Sequence, residues 1–385
     1  MRDLTFWIVA GEESGDARAA EVFRSLRAER PSARFHGAGG DALSALCETP
    51  YDNWAHEAGV TGLWDVVKRY GYFRAKFRAM RQEIASKRPD AVVLVDYPGF
   101  NLRLAKALRQ DGYRGKILYY ISPQVWAWNR ARIPRMARWL DLMICVFPFE
   151  APMYEASGLR TVFVGHPLLE GLRAEKRTIR READLIGLFP GSRDREVRRL
   201  FPAMVQAVDI VRETHPDLRF EAAAANPARA VQMQSLAAGH RITVRTGNAH
   251  DLMQRASAGL VCSGTATLEA AFFGLPHAIL YKTAWLTFEV GRRLVDVNAL
   301  GIINILNNYR RNPPVDPKLP AAPAPHVVRE FIQHEATPSA LAAEIRRLIQ
   351  DDQTPLLERL ATLVGGLQAE GAARRAAHQI LQALP

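Results

Sequence analysis

Short apolar runs alternate along this chain with longer segments in which apolar positions recur every three or four residues. The short runs predict buried strands, and the longer segments predict amphipathic helices. In the first half Phe6–Ala10, Ala91–Val95, Ile117–Ile121, Leu140–Phe147 and Thr161–Val164 read as strands, and a helix from about Ala17 to Arg30 follows the first of them. From Glu170 to Asp184 the pattern fails. Arginines are frequent there and apolar residues few, so the stretch reads as a linker. The alternation restarts with strands at Leu185–Phe189, Phe220–Ala224, Ile242–Val244 and Ala258–Cys262, and with a helix containing Phe201–Arg212. Two α/β halves joined by one linker predict two Rossmann-like, doubly wound parallel sheets facing a cleft, with ligands at the carboxyl ends of the strands.

Two segments depart from this rhythm. Asn312–Pro325 carries prolines at 313, 314, 317, 320, 323 and 325, which predicts a stiff extended loop. Thr337 and Pro338 then form an N-cap and first-turn pair that opens a helix. From about Pro355 the chain is helical and alanine-rich.

Composition narrows the function classes. Apolar residues make up 48% of the 385, enough for a core in each half. Lysine and arginine exceed aspartate and glutamate by 51 to 40, a formal charge of +11. That balance suits an anionic partner, or simply a solvated basic surface. The charge is spread along the chain without helix-turn-helix, RNP or zinc-finger patterns, which argues against a nucleic-acid binder. Cys47, Cys145 and Cys262 are odd in number and far apart, which predicts a reducing compartment and no disulfide framework. Cys145 and Cys262 lie in apolar runs and read as core thiols. No CxxC or HExxH spacing suggests a metal. The start, Met1 to Gly11, reads as a first strand and not as a signal peptide. No apolar run is long enough to cross a bilayer.

Five constellations can carry chemistry. Gly11-Glu12-Glu13-Ser14-Gly15-Asp16 follows the first strand. Its carboxylates would repel a pyrophosphate but suit sugar hydroxyls, which donate to them; a capped helix start is the plainer alternative. Asp96 ends the strand Ala91–Val95 and opens Asp96-Tyr97-Pro98-Gly99-Phe100-Asn101. It could act as a general base if burial or its aromatic neighbours raise its pKa, or serve only as a turn aspartate. Ile121-Ser122-Pro123-Gln124-Val125-Trp126-Ala127-Trp128 brings two tryptophans to a strand end. They can stack on sugars or touch acyl chains, although core packing is expected of at least one.

The second half holds the other two. Leu188-Phe189-Pro190-Gly191-Ser192-Arg193 is a strand, a glycine turn and a helix start, where Arg193 can meet phosphate oxygens. Ser263-Gly264-Thr265-Ala266-Thr267-Leu268-Glu269-Ala270 leads from a buried strand into small residues whose N–H groups can cradle a diphosphate. Glu269, one turn on, can accept from a ribose diol. Two ordinary capped helices remain the alternative.

These segments, together with Phe147-Pro148-Phe149-Glu150 and Gly165-His166-Pro167, occur in an order and spacing that resembles the lipid A disaccharide synthases. The match runs from about Ile8 to Gln333. The resemblance implies a GT-B glycosyltransferase, with residues 1–169 as an acceptor-side Rossmann-like domain, joined by the C-terminal helix at about 355–385. Residues 170–184 are the linker, and 185–354 bind the nucleotide sugar. It implies transfer from UDP-2,3-diacylglucosamine to 2,3-diacylglucosamine 1-phosphate, giving a β(1→6) bond and UDP, with inversion and without metal or other cofactor. By the same resemblance Asp96 is the base, Arg193 the phosphate contact, and Glu12 and Asp16 belong to the sugar site. Ser14, Asn101, Trp126, Asn304 and Gln333 are assigned to substrate, and Gly191, Ser192, Ser263, Gly264, Thr265 and Glu269 to the nucleotide. The chain departs from the family pattern in three places. Gly99 stands where a second aspartate is usual, Glu13 where alanine is, and Ile302-Ile303 precede Asn304 where Leu-Pro is usual. Another GT-B enzyme of UDP-sugars, an epimerase or a murein-precursor transferase, is the nearest rival by fold.

Acylated substrates imply a protein peripheral on the cytoplasmic face of the inner membrane. Leu63, Val66, Tyr70, Phe73, Phe77 and Met80 share helical spacing, and Lys68, Arg69, Arg74, Lys76, Arg78 and Arg81 surround them. That pattern predicts a basic amphipathic element for acyl chains and anionic lipid, or an ordinary core-packed helix.

Overall fold

A computed structural model describes residues 3–58, 70–294, 298–368 and 370–384. The chain divides into two compact units, Met1–Glu170 with Leu367–Pro385, and Gly171–Gly366.

The first unit is built on a parallel sheet. Its strands are β1 (Thr5–Ala10), β2 (Arg34–Gly39), β3 (Asp52–Asn53), β4 (Ala91–Val95), β5 (Lys116–Tyr120), β6 (Leu142–Cys145) and β7 (Thr161–Phe163). Their order across the sheet is β3-β2-β1-β4-β5-β6-β7. The chain winds outward from β1 in one direction, then returns to β4 and winds in the other. β1 and β4 therefore meet at a topological switch point, where the loops leaving the two strands diverge and open a crevice. β4 is buried along its whole length, as expected of a strand covered by helices on both faces. Like β3, β2 is a strand that the apolar pattern leaves unmarked. Its Arg-Phe-His-Gly-Ala-Gly sequence is polar and glycine-rich, and it forms because its backbone pairs with β1. A Cβ at Gly37 would lie 2.1 Å from the Ile8 carbonyl oxygen, so only glycine fits that approach.

The second unit repeats the plan with β8 (Glu182–Phe189), β9 (Arg219–Ala224), β10 (Ile242–Thr246), β11 (Ala256–Cys262), β12 (His277–Tyr281) and β13 (Glu330–Ile332), all parallel, in the order β10-β9-β8-β11-β12-β13. Its switch point lies between β8 and β11. The helix Asp194–Arg212 covers one face, burying Val197, Leu200, Phe201, Met204, Val208 and Val211 at helical spacing. Cys145 and Cys262 are buried free thiols in β6 and β11.

The C-terminal segment divides where the sequence pattern runs on unbroken. Thr354–Gly365 packs on the helices Thr265–Phe272 and Ile302–Arg311 of the second unit. Only the stretch from Leu367 returns to the first unit, where the helix Ala372–Gln382 lies along Glu13–Glu29. The Glu170 carboxylate accepts from the Gly371 and Ala373 N–H groups at 2.9 and 3.1 Å, anchoring the start of that helix. The linker is likewise shorter than its composition indicates, because Pro167–Leu172 is helical and β8 begins at Glu182.

The proline-rich stretch is held by one face of a helix. Along Ile302–Arg311 and its cap, Asn307 donates to the Pro325 carbonyl at 3.0 Å, Asn308 accepts from the Ala324 N–H at 2.9 Å, and Asn312 donates to the Pro323 carbonyl at 2.9 Å. Backbone that enters no sheet thus finds its partners in asparagine side chains. Thr337 caps the following helix through the Ala340 N–H, as its sequence predicts.

Candidate active site

In the first unit the register Ala10↔Val95 sets the ends of β1 and β4 side by side. The loops that carry Glu12 and Asp96 therefore leave the sheet together. Glu12 and Ser14 are exposed where the helix Glu13–Glu29 begins, and Glu12 makes no side-chain cap bond. Gly11 lies against Tyr97, and a Cβ there would come within 2.3 Å of the ring.

Asp96 and Tyr97 both adopt left-handed backbone, at φ 47°. Two side chains hold this strained turn. The Asn101 amide donates to the Val95 and Asp96 carbonyls at 3.1 and 2.8 Å, and the Tyr119 hydroxyl donates to the Asp96 carbonyl at 2.5 Å. Burial pushes the Asp96 carboxyl up to about 6, and the negative charge of Glu12 adds to the rise. This is the raised acid that a base working near neutral pH requires. Trp54, which belongs to no sequence motif, packs beneath the turn. Its indole N–H donates to the Ala10 carbonyl at 2.9 Å, and its ring meets Tyr97 and Phe100 at 5.8 and 4.8 Å. Beside the turn is a cavity of about 440 Å³ with walls of Phe73, Phe77, Tyr97 and Phe100 and with Arg74 and Arg103 at its edge.

The amphipathic segment is described from Tyr70 onward. Leu63, Val66, Lys68 and Arg69 lie outside the described residues. In the helix Tyr70–Lys87, Met80 and Ile84 are buried, whereas Phe73 and Phe77 are half-buried and line the cavity. Lys76 pairs with Asp52, and Arg81 with Asp111.

Three residues of this unit that read as substrate contacts are turned into the fold. Asp16 is buried, and its carboxylate accepts from the N–H groups of Gly40, Ala42 and Leu43 at 2.7, 2.8 and 3.3 Å. It caps the Gly40 turn and leaves little for a sugar hydroxyl. Trp126 is buried, and its indole N–H donates to Glu150 at 2.8 Å. Trp128 is the exposed member of the tryptophan pair, with the Arg132 guanidinium over its ring at 4.8 Å. Asn101 is fully buried and positions the Asp96 backbone. A titratable group that no motif marks lies against the residue after Glu12: His56 contacts Glu13 at 2.8 Å and Asp41 at 3.5 Å, and these acids raise its pKa, Asp41 first. Nothing in the spacing of those three residues announces the contact.

In the second unit the register Phe189↔Val261 joins the ends of β8 and β11, so the Gly191 and Gly264 turns leave adjacent strands. Gly191 is at φ 106° and Gly264 at φ 138°, conformations that favour glycine. The helix after Gly264 has no side-chain cap, and Gly264 and Thr265 are exposed, with Ser263 partly so. Its free N–H groups keep the capacity to bind an anion. The Gly191 turn is different. The Ser192 and Arg193 N–H groups both donate to the Glu196 carboxylate at 3.1 Å, so a residue of the same helix occupies the place expected for a phosphate. The Arg193 guanidinium contacts Glu196 at 2.9 Å but is two-thirds exposed. Glu269 faces His250 at 3.6 Å, and His250 also contacts Glu175 at 2.7 Å. Bonding to these two acids, Glu269 first, raises His250 to about 9.

Asn304 and Gln333 differ from expectation to different degrees. Asn304 is buried, donates to Val328 and Glu330 at 2.8 and 2.7 Å and accepts from the Val327 N–H at 2.8 Å. It pins the end of the proline-rich stretch to β13 and is not open to a ligand. Gln333, at φ 53°, is tied to the Thr283 backbone at 2.7 and 3.3 Å, yet lines a cavity of about 600 Å³ with Arg199, Lys282, Trp285 and Phe288.

A family model described as lipid-A-disaccharide synthetase matches residues 6–383. The chain belongs to this family. It is similar over its whole length to the lipid-A-disaccharide synthases of Trichlorobacter lovleyi, 37% identical over 97% of this chain and 96% of that one, and Geobacter sulfurreducens, 37% identical over 98% and 96%. The same name is carried by a Myxococcus xanthus relative, 34% identical over 98% and 97%. Membership makes the protein a glycosyltransferase of lipid A biosynthesis. Among solved structures it resembles a UDP-N-acetylglucosamine 2-epimerase described as putative, from Listeria monocytogenes, at TM-score 0.62 and 13% identity over 99% of this chain and 96% of that one. It also resembles the glycotransferase of kitacinnamycin, at TM-score 0.59 and 17% identity over the full length of both. These likenesses show the two-domain α/β fold of GT-B enzymes. Among the described residues no helix is long and apolar enough to cross a membrane.

Proposed function

We propose that the protein transfers 2,3-diacylglucosamine from its UDP conjugate to the 6-hydroxyl of 2,3-diacylglucosamine 1-phosphate. Asp96 takes the hydroxyl proton while that oxygen attacks the anomeric carbon from the face opposite the diphosphate. A β(1→6) bond forms, the bond from the anomeric carbon to the diphosphate oxygen breaks, and UDP leaves. The N–H groups after Gly264 and the exposed cation of Arg193 meet the charge that develops on the leaving group, so the reaction as proposed needs neither metal nor cofactor. The half-buried aromatic cavity beside Asp96 accommodates acyl chains, and its arginine edge suits a membrane surface, which we place at the cytoplasmic face of the inner membrane.

The observation that carries this reading is the Asp96 carboxyl itself. It lies at the β1/β4 switch point, is raised to about 6 by burial and Glu12, and sits beside an apolar cavity. The test is to incubate the protein with both substrates and look by mass spectrometry for the tetra-acyl disaccharide phosphate, with Asp96→Asn alongside. Product from the wild type and almost none from the variant is expected. Tight UDP binding without product would move the assignment to another UDP-sugar enzyme.

A further inference from the structure

Next to the apolar cavity of the first unit is a smaller one of about 210 Å³, edged by Arg103, Lys106, Arg132 and Arg135. Arg103 and Lys106 share one face of the helix Pro98–Gln110. Arg132 ends a short 3-10 turn, and Arg135 lies in the helix Ile133–Met136 that follows. Four like charges around one small cavity repel one another, and among the described residues no carboxylate lines it. Two other arginines of this unit show the contrast: Arg81 pairs with Asp111, and Arg109 with Asp141. Arg132 is placed by the Trp128 ring and not by a counter-ion among the described residues. Unmatched cations converging on a concave site are the chemistry of phosphate recognition.

We propose that this cavity binds the phosphate monoester of the acceptor glycolipid. Gly99 and Arg103 line both this cavity and the apolar one, and Gly99 belongs to the Asp96–Asn101 turn. An apolar wall, a base and an anion site therefore adjoin in one unit, in keeping with an acceptor that has acyl chains, a hydroxyl and a phosphate. The assignment rests on the proposed transfer reaction. A Cβ at Gly99 would meet nothing within 4 Å, so an added side chain there reaches open space beside the cations.

The experiment compares kcat/KM for 2,3-diacylglucosamine 1-phosphate with that for the same acceptor lacking the phosphate, in detergent micelles with the full chain. In the double variant Arg103→Gln, Arg135→Gln the preference for the phosphorylated acceptor is expected to fall at least about tenfold. Arg103→Glu, which places a carboxylate among the remaining cations, is expected to lower it in the same direction. A preference retained at the wild-type level in both variants overturns the proposal. So does loss of binding to phosphatidylglycerol-containing vesicles with the preference intact, since the cations would then serve lipid headgroups. Calorimetry with glucosamine 1-phosphate separates the site from the reaction. Saturable binding that both variants lose supports the anion site even where no disaccharide forms, whereas disaccharide formation without such binding counts against it.

Discussion

The Asn101 side-chain amide donates to the Asp96 carbonyl at 2.8 Å and so helps to hold Asp96 in left-handed backbone. The acid and the residue that orients it belong to one turn, five residues apart. Asn101→Ala removes both hydrogen bonds to carbonyls from a buried site. Stability is expected to fall by about 1–3 kcal/mol, and kcat to fall with acceptor KM little changed. Thermal unfolding and steady-state kinetics check the two parts. A variant with full kcat would show that the turn holds its shape without the amide.

The Asp96 carboxyl at about 6 predicts an acid limb in the rate. A base must be ionised, so kcat/KM should rise with pH through about 6 and level off above it. Glu12→Gln removes a charge that raises Asp96, and the limb should shift to lower pH. The stability consequence has the opposite sense to that of a salt-bridged acid. Between its ordinary value of 3.8 and about 6, the folded protein binds a proton that the unfolded chain has released, so stability falls as pH rises across that window. Asp96→Asn should therefore stabilise the protein at pH 7, by on the order of 1–3 kcal/mol, while abolishing turnover. Denaturant unfolding at pH 4 and pH 7 reads this directly, and equal stabilities at the two values for wild type and variant alike would argue against a raised Asp96.

Trp126 separates a packing role from a substrate role. Its indole N–H supports Glu150, a fully buried carboxyl that burial raises to about 7. Trp126→Phe keeps an aromatic ring in the core and removes the donor. The expected cost is about 1–3 kcal/mol in denaturant unfolding, with acceptor and donor KM unchanged. A large rise in either KM with normal stability would return Trp126 to the substrate site.

Phe73 and Phe77 line the cavity beside Asp96 without being core residues. If each ring covers an acyl chain, burying it against that chain stabilises the complex by roughly 1.5–3 kcal/mol. Phe73→Ser with Phe77→Ser should therefore weaken use of acylated acceptor at least about tenfold, and should lower binding to lipid vesicles. Melting temperature should move little by comparison. Intact vesicle binding and unchanged acceptor KM would remove the cavity from the reaction.

The strand–turn–helix rhythm was legible in the sequence because it depends on local patterns. Continuous apolar runs marked β4, β5 and β11, and the glycine turns after β1, β8 and β11 stand where the sequence places them. Asp96 was legible for the same reason, as an acid that directly ends a buried strand. What the sequence could not decide was the direction in which polar side chains face. Asp16 finds the Gly40 turn 24 residues on, Trp126 finds Glu150 24 residues on, and Asn304 finds Glu330 26 residues on. Each is satisfied by a partner that only strand order and packing bring near, and a satisfied buried polar group is taken from the ligand. Conversely, Trp54 under the Asp96 turn and the four cations beside Gly99 carry no motif. Their arrangement exists only once β3 lies beside β2 and the helix Pro98–Gln110 lies beside Ile133–Met136. Local pattern determined most of the elements and the turns; long-range pairing supplied strands such as β2, and packing determined which polar groups remain open to a substrate.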